Sequence, residues 1–383
     1  MLTREAIGAL RRHDPLLAQS KLDLLVAGAA DYPIPWTLIA QAAEARKDGD
    51  AAEAALSRQL AIDSRDLAAL LMMAASRARR GDDRAAQAFY RTAFQVAVQP
   101  DSNITPALAA MLRTGEAFVA QSDCRFAAHV EQAIASLEIG GRAPAARLHH
   151  ALDLLFGRSE LHLQQPSMFY FPGLPQRPFF ERGEFAWVAD LEAAAPAIRE
   201  EVLTILADGA GLEPYVERTI DRPAPANHLM NDPRWSAFHI WRGGQLVMPN
   251  AGLCPNSIAA LERLPMPIIR NRSPMALFSV LRPGTRIHPH HGLLNTRLIC
   301  HLPIIAPQDC GLRVGAETRN WHNGECLIFD DSIEHEAWNH SNQTRVVLLF
   351  EVWRPELDEP ERTALAAIFE AIDSYRGPQQ DGH

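Results

Sequence analysis

Apolar positions along the chain follow two different rhythms, and the change falls near residue 160. Up to that point Ala, Leu, Arg and Glu dominate and aromatics are few, the mixture favoured in helices. Tyr90 and Ala93 continue the face begun by Ala86 at i+4 and i+7, the spacing of one helical stripe. The flanks, Arg4 to Ala27 and Ile104 to Phe156, read as further helices that cap a stack. Past Leu161, Phe185 to Ala207 is helical again, with Trp187, Leu191, Ile198, Val202 and Ile205 near a 3.6 period. After Trp235 the pattern becomes short β-rich runs: Ala276 to Leu281, Arg297 to Ile305, Gly311 to Val314, Glu325 to Phe329 and Thr344 to Trp353. Pro283-Gly284, Asn323-Gly324 and Ser341-Asn342 between them are turn chemistry. Many short, closely spaced strands predict a sandwich or jelly roll. The expectation is therefore an α+β multidomain chain: an α-helical domain over 1–160 and a β-rich domain over 161–383.

Within the helical half, Gly49-Asp50-Ala51-Ala52 is echoed by Gly81-Asp82-Asp83-Arg84-Ala85-Ala86, an offset of 32 residues. In the second copy Gly81 supplies a turn, Ala86 lets two helices approach closely, and Pro100 ends the unit. This resembles the tetratricopeptide repeat, a helical hairpin of about 34 residues. No cluster in this half suggests catalysis, so its expected role is to hold a protein or peptide substrate along a helical surface.

Composition narrows the function. The 383 residues carry a net charge of −9 and no Lys/Arg-rich run, which argues against a nucleic-acid partner. No apolar window approaches the roughly 18 to 20 residues that cross a bilayer, and Met1-Leu-Thr-Arg-Glu-Ala does not read as a secretory signal. Neither a membrane nor a nucleic acid is expected as partner, and the cytoplasm is the expected compartment. Five widely spaced cysteines without a CxxC disfavour a disulfide framework and a zinc site. Cys300 and Cys326 read as core thiols.

Two polar constellations interrupt the β-rich half. His288-Pro289-His290-His291-Gly292 follows the turn Pro283-Gly284, and Phe329-Asp330-Asp331-Ser332-Ile333-Glu334-His335-Glu336 precedes Arg345 by about one hairpin. Imidazoles on two strands with a guanidinium nearby suit non-haem Fe(II) and a bidentate carboxylate. Three clustered histidines are also what a solvated turn presents, and a lone His335 also packs on sheets. Asp330, Asp331 and Glu334 are candidates to support a metal site, against the plainer reading of a turn before a strand. Trp235 and Trp241 are candidates to line a substrate groove, against the plainer reading of core aromatics.

The stretch Phe278-Ser279-Val280-Leu281-Arg282-Pro283-Gly284-Thr285, with His290-His291-Gly292 and Asn295-Thr296-Arg297-Leu298, closely resembles the aspartyl/asparaginyl β-hydroxylase family. So does Leu327 to Trp338 together with Arg345 and Val352-Trp353-Arg354-Pro355-Glu356-Leu357. The resemblance is dense over about 275 to 357 and looser from Phe169 to Trp241. It implies a double-stranded β-helix that uses Fe(II), 2-oxoglutarate and O2 to hydroxylate the β-carbon of Asp or Asn side chains in a peptide or protein. It also implies roles: His290 and His335 as iron ligands, and Arg345, assisted by Ser279, on the distal carboxylate of 2-oxoglutarate. His301 falls near the cosubstrate's other carboxylate, Arg297 beside the substrate carboxylate, and Trp235 in the motif that opens the domain. The position two after the first histidine, a carboxylate in most such oxygenases, is Gly292, an absence the family shares. Ile299 stands where the family often has a second arginine. That departure keeps open the same oxidant acting on a small amino-acid-like metabolite or a natural-product peptide; a scaffold without metal is the remaining alternative.

Overall fold

The computed structural model describes residues 1–28, 33–100, 102–137, 142–217 and 227–375. They fall into two compact units, Met1–Phe156 and Gly157–His383.

The elements of the first unit's described residues are all helices: α1 (Leu2–Arg11), α2 (Pro15–Gly28), α3 (Trp36–Ala45), α4 (Gly49–Ile62), α5 (Leu67–Arg79), α6 (Asp83–Ala97), α7 (Pro106–Ile134) and α8 (Arg142–Leu155). The helices expected over Ile104 to Phe156 are α7 and α8, and residues 138–141 between them lie outside the described residues. Consecutive helices pack in pairs, α1 on α2, α3 on α4 and α5 on α6. Small side chains make the close approach possible: Ala40, Ala43, Ala52 and Ala55 form one core with Leu56. At Gly115 of α7 an added Cβ would meet the Tyr90 ring at 2.4 Å, so that helix crossing depends on a residue without a side chain.

The internal repeat has a structural register. Lys47 and Gly81 both take a left-handed turn (φ 63° and 75°), and Asp48 and Asp82 then cap α4 and α6 through Ala51 N and Ala85 N. Turn and cap recur after 34 residues, two more than the Gly49/Gly81 echo suggests. Matching the glycines misaligns the copies because Lys47, not Gly49, makes the first turn.

The second unit contains β1 (Phe179–Phe180), α9 (Val188–Asp208), β2 (Glu213–Pro214), β3 (Trp235–Arg242), β4 (Gln245–Leu246), α10 (Met248–Ala251), α11 (Pro255–Leu261), β5 (Ala276–Leu281), β6 (Thr285–His290), β7 (Arg297–Ile305), β8 (Cys310–Val314), β9 (Glu317–Asn320), β10 (Leu327–Phe329), β11 (His335–Asn339), β12 (Arg345–Trp353) and α12 (Glu359–Ser374). One antiparallel sheet runs β1-β10-β7-β12-β5-β3-β2, with β4 on β3; the other runs β6-β11-β8-β9.

Alternation along the central strands decides what lies between the sheets. Ala276, Phe278, Val280, Leu298, Cys300, Leu302, Val346, Leu348 and Phe350 face a core shared with α9 and α11. The intervening residues Leu277, Leu281, Ile299, Val347 and Leu349 join Ile287, Leu312 and Ala337 of the small sheet in a second core. Both faces of β5, β7 and β12 are buried, which is why these strands read as continuous apolar runs. Ser279, Arg297, His301, Arg345 and Glu351 share the parity of the second core and are its polar interruptions.

Candidate functional site

A cavity of about 120 Å³ lies between the two sheets. Its lining draws on β3, β5, β7, β10 and β12 on one side and β6, β8 and β11 on the other. Of the residues expected to form a site, it brings together His290, His335, Arg345, Ser279, His301, Arg297 and Trp235, with Asp331 and Gly292.

β6 and β11 pair so that His290 and His335 stand directly opposite, ring centroids 4.1 Å apart. Each Nδ1 lies against a main-chain carbonyl, His290 on His288 O at 2.8 Å and His335 on Ile333 O at 3.1 Å. A carbonyl only accepts, so Nδ1 carries the proton in both rings and Nε2 keeps its lone pair. Burial pushes His335 down to about 3; it also lowers His290, whose ring is at the exposed rim. Two neutral imidazoles with fixed tautomers are the donor set that a divalent transition metal accepts. His288 is used otherwise: it stacks on His228 with centroids 3.6 Å apart. Among the described residues no group of three or more His, Cys, Asp or Glu side chains is placed to hold a metal, so such an ion would rest on this pair and on non-protein ligands.

Arg345, at the start of β12, is 1% exposed and lies over the Trp321 ring, 4.8 Å from its centroid. Among the described residues no carboxylate pairs with it, and its Nε has no hydrogen-bond partner. Burial lowers its pKa to about 10, which leaves it cationic at neutral pH. A buried cation without a counter-ion is expensive unless an anionic ligand completes it. Ser279 is on the neighbouring strand, and its hydroxyl accepts from Trp235 Nε1 at 3.2 Å, leaving its own O–H to donate. His301 Nδ1 is also buried and unpartnered, and burial, then Arg345 and His335, hold that ring neutral. Phe329 meets His301 edge-on at 5.0 Å. This set fits a dicarboxylate beside a metal.

Arg297 is placed differently from a free substrate-binding cation. It is 8% exposed and pairs with Asp331 Oδ2 (Nη2, 3.2 Å) and Glu351 Oε2 (Nε, 3.2 Å). Burial works against its charge, but the two carboxylates outweigh it and raise its pKa. Burial raises Asp331 to about 6 against the pull of Arg297. At Gly292 an added Cβ would meet Asp331 Oδ2 at 2.1 Å, so the Asp331 carboxylate fills the volume a side chain at 292 would need. Asp330 faces elsewhere: it pairs with Arg354 at 2.6 Å, both wholly buried, and accepts from Gln164 and Ser332. Glu334 pairs with Arg313 at 2.9 Å. Trp241 lies in the core against the helices.

Sequence reasoning misses Glu351 and Tyr215. Glu351 has the parity of Arg345 on β12, a signal available once the strand's inner face is known. Tyr215 reaches the pocket by stacking on Trp235, with centroids 4.0 Å apart, and burial pushes its phenol up to about 12.

Two facing antiparallel sheets around a pocket of paired histidines and an unpaired arginine define a cupin-like jelly-roll domain. The chain belongs to the aspartyl/asparaginyl β-hydroxylase family, whose model, described as Aspartyl/Asparaginyl beta-hydroxylase, matches residues 192–355. It is 34% identical over 222 residues to the ornithine lipid ester-linked acyl 2-hydroxylase of Rhizobium tropici, covering 57% of this chain and 73% of that one. It is 33% identical over 208 residues to human aspartyl/asparaginyl beta-hydroxylase, covering 53% of this chain and 26% of that one. Human aspartate beta-hydroxylase domain-containing protein 2 is 34% identical over 213 residues, 54% of this chain and 55% of that protein. The chain thus spans about a quarter and about half of the two human relatives' lengths.

Proposed function

We propose that this protein is an Fe(II)- and 2-oxoglutarate-dependent dioxygenase that hydroxylates the β-carbon of Asp or Asn in a peptide or protein substrate. The observation that carries the reading is the buried Arg345 without a carboxylate, in the same pocket as the neutral pair His290 and His335. The family names of the human relatives, and the family model's match over residues 192–355, a range that includes the site, support it.

His290 and His335 would hold the metal through Nε2, their Nδ1 protons being committed to carbonyls. Arg345 would neutralise the distal carboxylate of 2-oxoglutarate as a bidentate donor, with the Ser279 hydroxyl beside it. His301, held neutral, offers Nδ1 to the cosubstrate's inner end. When bound, Fe(II) with this cosubstrate and O2 supplies the oxidant that turns a substrate C–H into C–OH, with succinate and CO2 released. Trp235, Tyr215 and Phe329 wall the pocket against water. Gly292, without a side chain, leaves the metal's neighbourhood to Asp331.

The helical unit reads as a tetratricopeptide-like platform that recruits the substrate, a reading supported by its paired helices and the 34-residue recurrence of turn and cap. Five free cysteines suit a reducing compartment, and we place the protein in the cytoplasm. A second reading is the same chemistry on a small amino-acid-like molecule or natural-product peptide. It is favoured by Ile299 on the inner face of β7 and by the lipid substrate named for the Rhizobium relative. The test is succinate release by the intact protein in air with Fe(II) and 2-oxoglutarate. Release that depends on both is expected, and none in the metal-loaded protein would overturn the reading.

A further inference from the structure

Among the described residues, Arg297 and Arg345 are the two guanidiniums that line the pocket. In the proposed dioxygenase Arg345 serves the cosubstrate. Arg297 is already paired by two buried carboxylates, Asp331 and Glu351. Among the described residues these two arginines and the two acids that Arg297 holds sum to zero charge, and a divalent metal balances a doubly charged cosubstrate. An acidic substrate side chain would then enter as an uncompensated buried charge beside Asp331, a costly arrangement.

The Arg297–Asp331 pair is nevertheless incomplete. Arg297 Nη1 and Asp331 Oδ1 are both buried without a hydrogen-bond partner, one a donor and the other an acceptor. A carboxamide supplies the complement: its carbonyl accepts from Arg297 and its NH2 donates to Asp331. A carboxylate offers two acceptors and would face Asp331 Oδ1 with like charge. An aliphatic group satisfies neither atom, and a buried polar group left unmatched costs binding. Ile299, on the same face of β7 two residues on, adds apolar contact and no charge. We infer that Arg297, Asp331 and Glu351 together make the site specific for a substrate side chain ending in an uncharged carboxamide, an asparagine, in preference to aspartate. The inference rests on the proposed dioxygenase activity for the commitment of Arg345 to the cosubstrate, whereas the unmatched Arg297–Asp331 pair stands without it.

The test uses the full-length protein with Fe(II) and 2-oxoglutarate and three capped amino acids of nearly equal size: N-acetyl methylamides of Asn, Asp and Leu. Binding is read by saturation-transfer NMR under anaerobic conditions, and turnover by the added oxygen in air. The Asn probe is expected to bind and react at least about tenfold better than either Asp or Leu at neutral pH. Asp331→Asn, whose amide can donate or accept, is expected to bring the Asn-to-Asp ratio close to one. Equal responses to Asn and Asp in the wild type, including none to either, overturn the inference. So does a Leu response equal to that of Asn, or a ratio unchanged in Asp331→Asn. Succinate release without any probe reports separately on the oxidant machinery. Its absence, with Asn-selective binding retained, would remove the proposed activity and leave the specificity standing.

Discussion

Gly292→Ala asks the most of the site's packing. The new Cβ would sit 2.1 Å from Asp331 Oδ2, 2.3 Å from Cγ and 2.7 Å from Oδ1. Backbone movement offers no relief, because Gly292 N donates to Asp331 O at 2.6 Å and ties the two segments together. The Asp331 side chain must therefore turn away, and it is held by the buried Arg297 at 3.2 Å. Overpacking alone costs about 1–3 kcal/mol, and parting a buried ion pair costs about 3–5 kcal/mol. A loss of about 3 kcal/mol is the expected result. With a urea m-value of about 2–3 kcal/mol/M, the unfolding midpoint drops by about 1 M. Six of the seven tryptophans lie in the second unit, so intrinsic fluorescence follows its unfolding. A double-mutant cycle isolates the cause: in an Asp331→Ala background the same substitution is expected to cost less than about 1 kcal/mol. A change under about 0.5 kcal/mol in the wild type, or an equal cost in both backgrounds, would refute the packing argument.

Arg345→Met removes a buried charge that no carboxylate pairs with among the described residues, so the ligand-free protein should unfold no earlier than wild type while succinate release falls at least about 100-fold; a marked loss of thermal stability would mean the arginine is structural. Asp330→Asn breaks the fully buried pair with Arg354 and should lower stability by about 3–5 kcal/mol in chemical denaturation, whereas a near-neutral result would contradict the placement of Asp330 as a structural anchor. Cys124 is exposed and the other four thiols are buried, with burial pushing Cys254 up to about 12. One thiol should therefore react quickly with a disulfide reagent in the native protein and five in denaturant, and several fast native thiols would speak against the core described.

Much of the site is legible in the sequence because its residues sit in long, specific motifs. His290, Arg297, His335 and Arg345 all fall in the stretches that carry the family resemblance, and the structure gathers them around one pocket. β5 and β7 have the bounds that their apolar runs suggest, since both faces are buried. β6 and β11 leave no such trace. Thr285-Arg-Ile-His-Pro-His and His335-Glu-Ala-Trp-Asn are polar, and only mutual pairing defines them as strands. β6 is an edge strand, which is why Pro289 is tolerated there. The partners of Arg297 are equally silent, because the parity that aims Glu351 inward exists only once β12 is registered on β7.

The central claim is that, among the described residues, His290 and His335 alone would supply the protein's grip on iron while Arg345 would hold the cosubstrate. Anaerobic titration of the metal-free protein with Fe(II) and 2-oxoglutarate, read by equilibrium dialysis of both, tests it directly. The account predicts one iron and one 2-oxoglutarate per chain, iron lost in His290→Ala and in His335→Ala, and 2-oxoglutarate alone lost in Arg345→Met. Iron retained in the histidine variants, or 2-oxoglutarate bound as tightly without Arg345, would contradict it.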